Sequence, residues 1–274
     1  MSAEADRSSG DSLSLVDLHT HFVPGVDDGA RSTEEALAAL GALCAQGVTR
    51  VATTPHLRAS RAGGSRKLVV REKYEALRSA AAEALPDLGL SLAYEVRLDE
   101  PEVDLSDRSL GLSDRHLLVE FSMLVMPAFP VETLEVATRQ DWVPVLAHPE
   151  RYSGIEARYR MIAAWREMGA LMCLNVASLW GRYGREAETV AHRMLADGLV
   201  DVIASDHHAR PNRSESVRQA WDRLAEAGHQ EAARLLLSAN PGAILDGLDP
   251  APVPAVRLGD GWSGRIKRFI GWSR

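Results

Sequence analysis

Short apolar runs rich in Val, Leu, Ile and Ala recur along the chain, separated by longer stretches with helical spacing of apolar positions. The runs fall at 16–19, 50–54, 90–95, 116–121, 143–147, 170–175 and 201–205. Each is short and almost continuously apolar, as expected of a strand covered on both faces. Between them, Leu37, Leu40, Leu43 and Cys44 share one helical face, and Gly47 ends that helix. Ser32 and Glu35 have the spacing of a capping box at its start. Further helices are predicted over 67–85, 131–139, 155–168, 185–197, 214–227 and 231–237, with Asn240-Pro241 stopping the last. Strand and helix in alternation predict βα repetition around a parallel sheet. About seven such units suit a closed or nearly closed barrel, with a doubly wound open sheet as the other arrangement.

Where the runs stop, the chemistry begins. The first run leads into His19-Thr20-His21, a Pro-Gly turn and Asp27-Asp28-Gly29. Residues two apart on a strand point the same way, so His19 and His21 would project together and could chelate a metal ion. The acidic pair could add an oxygen ligand. The other runs end in His56, Glu95, Glu120, His148 and Asp206-His207-His208, and only the sixth, at Asn175, lacks an imidazole or carboxylate. Parallel α/β barrels place their active sites at the carboxyl ends of the strands. Six of the chain's nine histidines lie in this set, so the set predicts a multinuclear metal site. Imidazole and carboxylate without thiolate suit manganese, iron or zinc. Arg151 and Arg213 come soon after the fifth and seventh ends, and guanidinium can grip a phosphoryl group through two parallel hydrogen bonds. Taken singly, either arginine reads as a surface ion pair.

Composition narrows the rest. At 274 residues, with 46% apolar and 25% charged positions, the chain suits one large α/β domain. Its net charge of −7 argues against a broad nucleic-acid footprint. Two cysteines, Cys44 and Cys173, provide neither a disulfide framework nor a thiolate zinc cage. No run has membrane-spanning length, and residues 1–14 resemble a disordered tail rather than a secretory signal, so a cytoplasmic location is expected.

Taken in order, LVDLHTHFVPGVDDGARSTEEAL, ATTPH, AYEV, LLVEF, VLAHPERY, LNVASLWGRYG, VIASDHH and the Asn240-Pro241 ending resemble the PHP (polymerase and histidinol phosphatase) superfamily. Within it they are most similar to the metal-dependent protein-tyrosine phosphatases of capsular and exopolysaccharide operons. The resemblance spans about 15–245, within a barrel expected over 15–249. It implies a distorted, TIM-like (β/α)7 barrel holding three divalent ions, often manganese. By that resemblance one ion takes His19, His21, Glu95 and Asp206, a second takes Glu95, Glu120 and His148, and a third takes Asp28, His56 and His208. Arg151 and Arg213 match positions that bind the phosphoryl group. The implied reaction is attack on phosphorus by a hydroxide bridging the ions, with no phosphocysteine. The implied substrate is a phosphotyrosine protein, a tyrosine autokinase of polysaccharide export. Two other readings use the same residues: a small-molecule phosphoesterase such as histidinol phosphatase, and a non-catalytic metal-binding regulatory barrel.

Three features depart from that pattern. His207 stands where the family has a small residue, and in an extended segment it should point away from the ligands. The loop 58–66 is arginine-rich. Residues 250–274 form a basic, Trp-containing tail; within it Ile266, Phe269 and Ile270 share a helical face that could dock on an acidic membrane or a membrane-associated kinase. Finally, Cys44 and Arg50 make a C-x5-R spacing, the signature of cysteine phosphatases. That chemistry needs a loop running from strand into helix. Here the order is reversed, and Cys44 is expected to be a packed core residue.

Overall fold

Every predicted apolar run becomes parallel strand, but the third breaks in its middle and the second is followed at once by a separate short strand. In the computed structural model, which describes residues 14–210 and 216–259, the strands are β1 (Leu15–Thr20), β2 (Val48–Thr53), β3 (His56–Arg58), β4 (Gly89–Leu92), β5 (Glu95–Leu98), β6 (His116–Phe121), β7 (Val143–Ala147), β8 (Leu171–Asn175) and β9 (Val202–Ala204). The helices are α1 (Thr33–Cys44), α2 (Arg66–Ala84), α3 (Pro130–Thr138), α4 (Arg160–Glu167), α5 (Arg185–Ala196), α6 (Val217–Glu226), α7 (Gln230–Arg234) and α8 (Asn240–Leu245). Arg213 and the apolar face at 266–270 lie outside the described residues.

The strands form two parallel sheets, ordered β1-β2-β4 and β3-β5-β6-β7-β8-β9. Only Thr54-Pro55 separates β2 from β3, and only Ala93-Tyr94 separates β4 from β5. Proline has no N–H for a ladder, so the ladder is interrupted where Pro55 enters it. The chain still runs on in register: Ala93 N–H donates to Thr53 O at 3.0 Å and Glu95 N–H to Pro55 O at 3.3 Å. Seven strand positions therefore curve around one interior. The curve does not close as a continuous ladder. Between β9 and β1 there is one bridge, Thr20 to His207, flanked by hydrogen bonds from Asp206 N–H to His19 O (2.9 Å) and from His21 N–H to His207 O (2.8 Å).

β1 and β6 are buried along their whole length, as strands covered on both faces must be. Leu117, Val119 and Phe121 of β6 pack in the larger core that holds the helices, whereas Leu118 joins Leu18, Ala52, Val145, Cys173 and Val202 in a small interior cluster. Those interior residues fill the floor beneath the strand ends.

Some helix boundaries differ from the pattern reading. Ser32 does cap α1, accepting Glu35 N–H at 3.3 Å, but Glu35 turns back to Arg31 N–H instead of completing the box. α4 begins at Arg160, because three-residue bonds (Ile155 to Tyr152, Arg158 to Ile155) wind 152–161 more tightly than an α-helix. Asn240-Pro241 does not stop the last helix. A five-residue turn at Leu235–Ala239, with Asn240 N–H donating to Leu235 O, widens the helix and carries it into α8 with Pro241 in the first turn. Asn240 instead ties the 250s to the barrel, donating to Asp201 O and Ala251 O and accepting from Ala251 N–H.

Candidate metal centre

The carboxyl ends of the strands meet, and every described residue expected there arrives. His19 and His21 Nε2 lie 3.3 Å apart, and each is within 3.5 Å of Glu95 Oε2 and Asp206 Oδ1. His56 faces Glu95 (2.9 Å) and Glu120 (3.2 Å) through Nδ1 and Asp28 (3.5 Å) through Nε2. His148 Nε2 is 2.9 Å from Glu95 Oε1. His208 reaches Asp28 at 3.4 Å and Asp206 at 3.5 Å, and its ring stacks on His21 with centroids 4.1 Å apart. Arg151 Nη1 donates to Asp206 Oδ2 at 2.7 Å while its guanidinium lies over the Tyr183 ring. His207 turns elsewhere: its ring lies by Phe22 and its Nδ1 accepts Ala209 N–H.

Local backbone sets these positions. The β1 ladder shifts register between Asp17 and Thr20, a bulge-like step that re-aims side chains. The 21–30 loop folds on itself, Ala30 N–H returning to His21 O at 2.9 Å. A Cβ at Gly29 would sit 2.0 Å from that same carbonyl, so only glycine fits. His148 (φ 39°) and Asp206 (φ 52°) adopt left-handed backbone, which costs an ordinary residue roughly 1–2 kcal/mol. Their amides are each fixed to the neighbouring strand, His148 N–H to Cys173 O and Asp206 N–H to His19 O.

Electrostatics couples the cluster. Burial works to protonate Glu95, but the imidazoles of His19, His148 and His21 hold it well below the usual carboxylate range. Asp206 is depressed in the same way by His19 and His21, and Asp28 chiefly by His56. Burial opposes charge on His21, His56 and His148, yet their carboxylate partners raise all three. His208 goes the other way, lowered by burial and by His21.

The donor geometry fits cations. Glu95 Oε2 is buried and accepts no hydrogen bond of acceptable angle, although three imidazole nitrogens stand within 3.4 Å. Lone pairs that approach one another without a shared proton are what ligands around an ion present. Among the described residues three groups stand at ligand spacing: His19, His21 and Glu95; His56, Glu95 and Glu120; and His21, Asp28, His56 and His208. These overlap the implied ligand sets without repeating them. His56 stands with Glu120 where His148 was expected, and His148 and Asp206 adjoin the groups through Glu95 and the paired histidines.

Supporting residues were less visible in sequence. Asp27 accepts from His21 Nδ1 (2.8 Å) and from the His56 and Gly29 amides, so the first acid of the DDG fixes the His21 imidazole and the backbone that carries His56. Asn175 donates to Asp206 Oδ2 at 3.0 Å. Glu150, fully buried and raised by burial, accepts from Ser178 Oγ and Asn175 N–H. Arg97 pairs with Glu120 at 2.9 Å, a partnership readable only once strand register is known. Cys44 and Arg50 form no phosphate loop. Cys44 is half-buried at the end of α1, one turn beyond Leu40, and Arg50 pairs with Asp246.

Among similar proteins, the tyrosine-protein phosphatase CpsB of Streptococcus pneumoniae is 28% identical over 244 residues, covering 84% of this chain and 98% of its own. The tyrosine-protein phosphatase YwqE of Bacillus subtilis is 27% identical over 209 residues, covering 75% and 82%. A crystal structure from work on YwqE and CpsB, described as unique metal-dependent tyrosine phosphatases, shares the fold with a TM-score of 0.74 at 24% identity, covering 89% of this chain and all of that one. The Escherichia coli phosphotriesterase homology protein shares it more distantly, with a TM-score of 0.52 at 13% identity over 86% of this chain and 99% of that one. Residues 15–246 match the family model for capsular polysaccharide synthesis, CpsB/CapC, and the chain belongs to that family.

Proposed function

We propose that this chain is a metal-dependent protein-tyrosine phosphatase acting on a phosphotyrosine protein of polysaccharide export, a tyrosine kinase of that system being the expected partner. The observation that carries the reading is Glu95 Oε2, buried among three imidazole nitrogens with no hydrogen bond. The names of the relatives point the same way. His19, His21, Glu95 and Asp206 would hold one divalent ion; Glu95, Glu120 and His148 a second; Asp28, His56 and His208 a third. The mixed oxygen and nitrogen set suits manganese first, with iron and zinc compatible. Such ions supply a lowered water pKa and neutralise phosphoryl oxygens as charge builds in an in-line displacement.

The protein's own groups do the rest. Arg151, clamped by Asp206 and laid over Tyr183, presents its free N–H groups to phosphoryl oxygens. Arg213 is proposed as the second guanidinium on the same group. Asp27 and Asn175 keep the His21 and Asp206 side chains aimed, and Asp27 also fixes the His56 backbone.

The test is metal analysis by mass spectrometry, paired with turnover of a phosphotyrosyl peptide before and after chelation. Stoichiometric divalent metal, loss of turnover on stripping and recovery with Mn²⁺ are expected. Turnover that survives complete stripping would sink the reading, and a strong preference for histidinol phosphate would move it to the small-molecule branch.

A further inference from the structure

Beside the third proposed ion site lies a recess of about 280 Å³ lined by Asp27, Asp28 and His56 together with Arg58, Arg61, Arg66 and Arg97. Four guanidiniums around one recess are unexpected in a chain of net charge −7. Strand register explains how they gather. β3 pairs with β5 so that His56 stands opposite Glu95 and Arg58 opposite Arg97. One step of the pleat beyond two candidate ligands, two like charges face each other across the strands, an arrangement that costs stability unless something offsets it.

Arg97 has its offset in Glu120, 2.9 Å away. Arg66 spends its reach on a carbonyl, Val26 O, at 2.5 Å. Arg58 and Arg61 are exposed, and among the described residues neither has a carboxylate at ion-pair distance. The acids of the recess are already engaged, Asp27 with His21 and Asp28 with His56 and His208. The recess also has a fixed wall: the turn Ala59–Arg61 is anchored by Ser60, whose N–H and Oγ donate to Asp99 at 3.0 and 2.7 Å, and Ala59 and Ala62 are buried. Arg61 therefore projects from an anchored turn.

We infer that this recess is a second anion subsite, reading an acidic group on the peptide beside the phosphotyrosine. The inference rests on the phosphatase reading above. The anion could be a carboxylate of Asp or Glu or a second phosphoryl group, since a paired guanidinium fork receives both. Arg58 and Arg61 act as specificity determinants, supplying affinity for the flank while the reacting group is held elsewhere.

The experiment compares three phosphotyrosyl peptides differing only in flanking residues: Asp/Glu, a second phosphotyrosine, or Asn/Gln. Wild-type protein loaded with Mn²⁺ should show a KM about tenfold lower for an anionic flank than for the neutral one, with kcat unchanged. The double variant Arg58→Gln/Arg61→Gln should erase that difference, and Arg58→Lys/Arg61→Lys should restore part of it. The two anionic peptides tell which source the recess prefers, and a preference for either supports the subsite. In parallel, fluorescence anisotropy with the same peptides carrying a non-hydrolysable phosphonate measures affinity without turnover. Equal affinities for anionic and neutral flanks overturn the inference and leave the phosphatase reading standing. Absence of turnover with every peptide defeats the phosphatase reading, and the anisotropy ratio still decides the subsite.

Discussion

The two ends of β9 each carry an aspartate paired to an arginine, and the pairs serve different ends. Asp201, at the amino end, is 5% exposed; Asp206, beyond the carboxyl end, is 4% exposed, so burial does not distinguish them. Partners do. Asp201 Oδ2 takes Arg166 at 2.5 Å and Met172 N–H at 2.7 Å, which ties α4 and β8 to β9. Asp206 Oδ2 is likewise anchored, by Arg151 and Asn175, but its Oδ1 faces His19, His21 and His208 at 3.3–3.5 Å. One oxygen is held by donors and the other turned toward imidazoles, the arrangement expected of the ligand proposed above. The left-handed backbone at Asp206 turns the side chain that way.

The sharpest way to break this comparison is to swap the amide into each end. Asp206→Asn should reduce phosphotyrosine turnover on the order of 10³-fold, as loss of a preorganised charge at the reacting centre does. Asp201→Asn should leave kcat unchanged and instead cost about 1–2 kcal/mol of stability, read as a lower melting temperature. Equal effects of the two on turnover would dissolve the distinction. Next in size, Asn175→Ala removes one anchor of Asp206 and should weaken metal affinity about 10- to 100-fold, measured by competition with a chelator.

A smaller effect is expected from pH on chelated protein. His21 and His56 are raised in the folded state, so their contribution is fully present below the unfolded value of about 6.5 and fades as pH climbs above it. Glu95, Asp206 and Asp28 are depressed, so theirs is present above about pH 4 and is lost as pH falls further. Melting temperature of the stripped protein should therefore peak between these limits and fall toward pH 9. Metal-loaded protein should hold its melting temperature over that upper range, because ions replace the protons. A flat upper limb in stripped protein would contradict the coupling. Smallest of all, Cys44→Ser should leave turnover unchanged, since the thiol sits at the end of a helix far from any phosphate cradle; a large loss would revive the cysteine mechanism.

Much of the site could be read before any coordinates, for a definite reason. A parallel sheet sends all its strand ends to one face. The residues that terminate the apolar runs, His19, His56, Glu95, Glu120, His148 and Asp206, are therefore expected as neighbours from their positions alone. The remainder depends on quantities that residue pattern does not carry. The sign of φ at His148 and Asp206, the breaks at Pro55 and Ala93-Tyr94, and the register that sets Arg97 beside both Arg58 and Glu120 are properties of the folded backbone. Cys44 shows the same limit at a helix end: apolar spacing placed it on the stripe, but α1 ends there and leaves it half-covered.

The unfinished join between β9 and β1 has a consequence of its own. A wall lacking its full set of rungs would open first when the molecule breathes. Yet His19 and His21 stand on one side of that gap and Asp206 and His208 on the other. Cations gripped by all four would act as rivets across it, making this protein's weakest edge depend on its cargo. Withdrawing them should speed deuterium uptake at the amides of His21 and Asp206 while those within β6 and β7 stay protected.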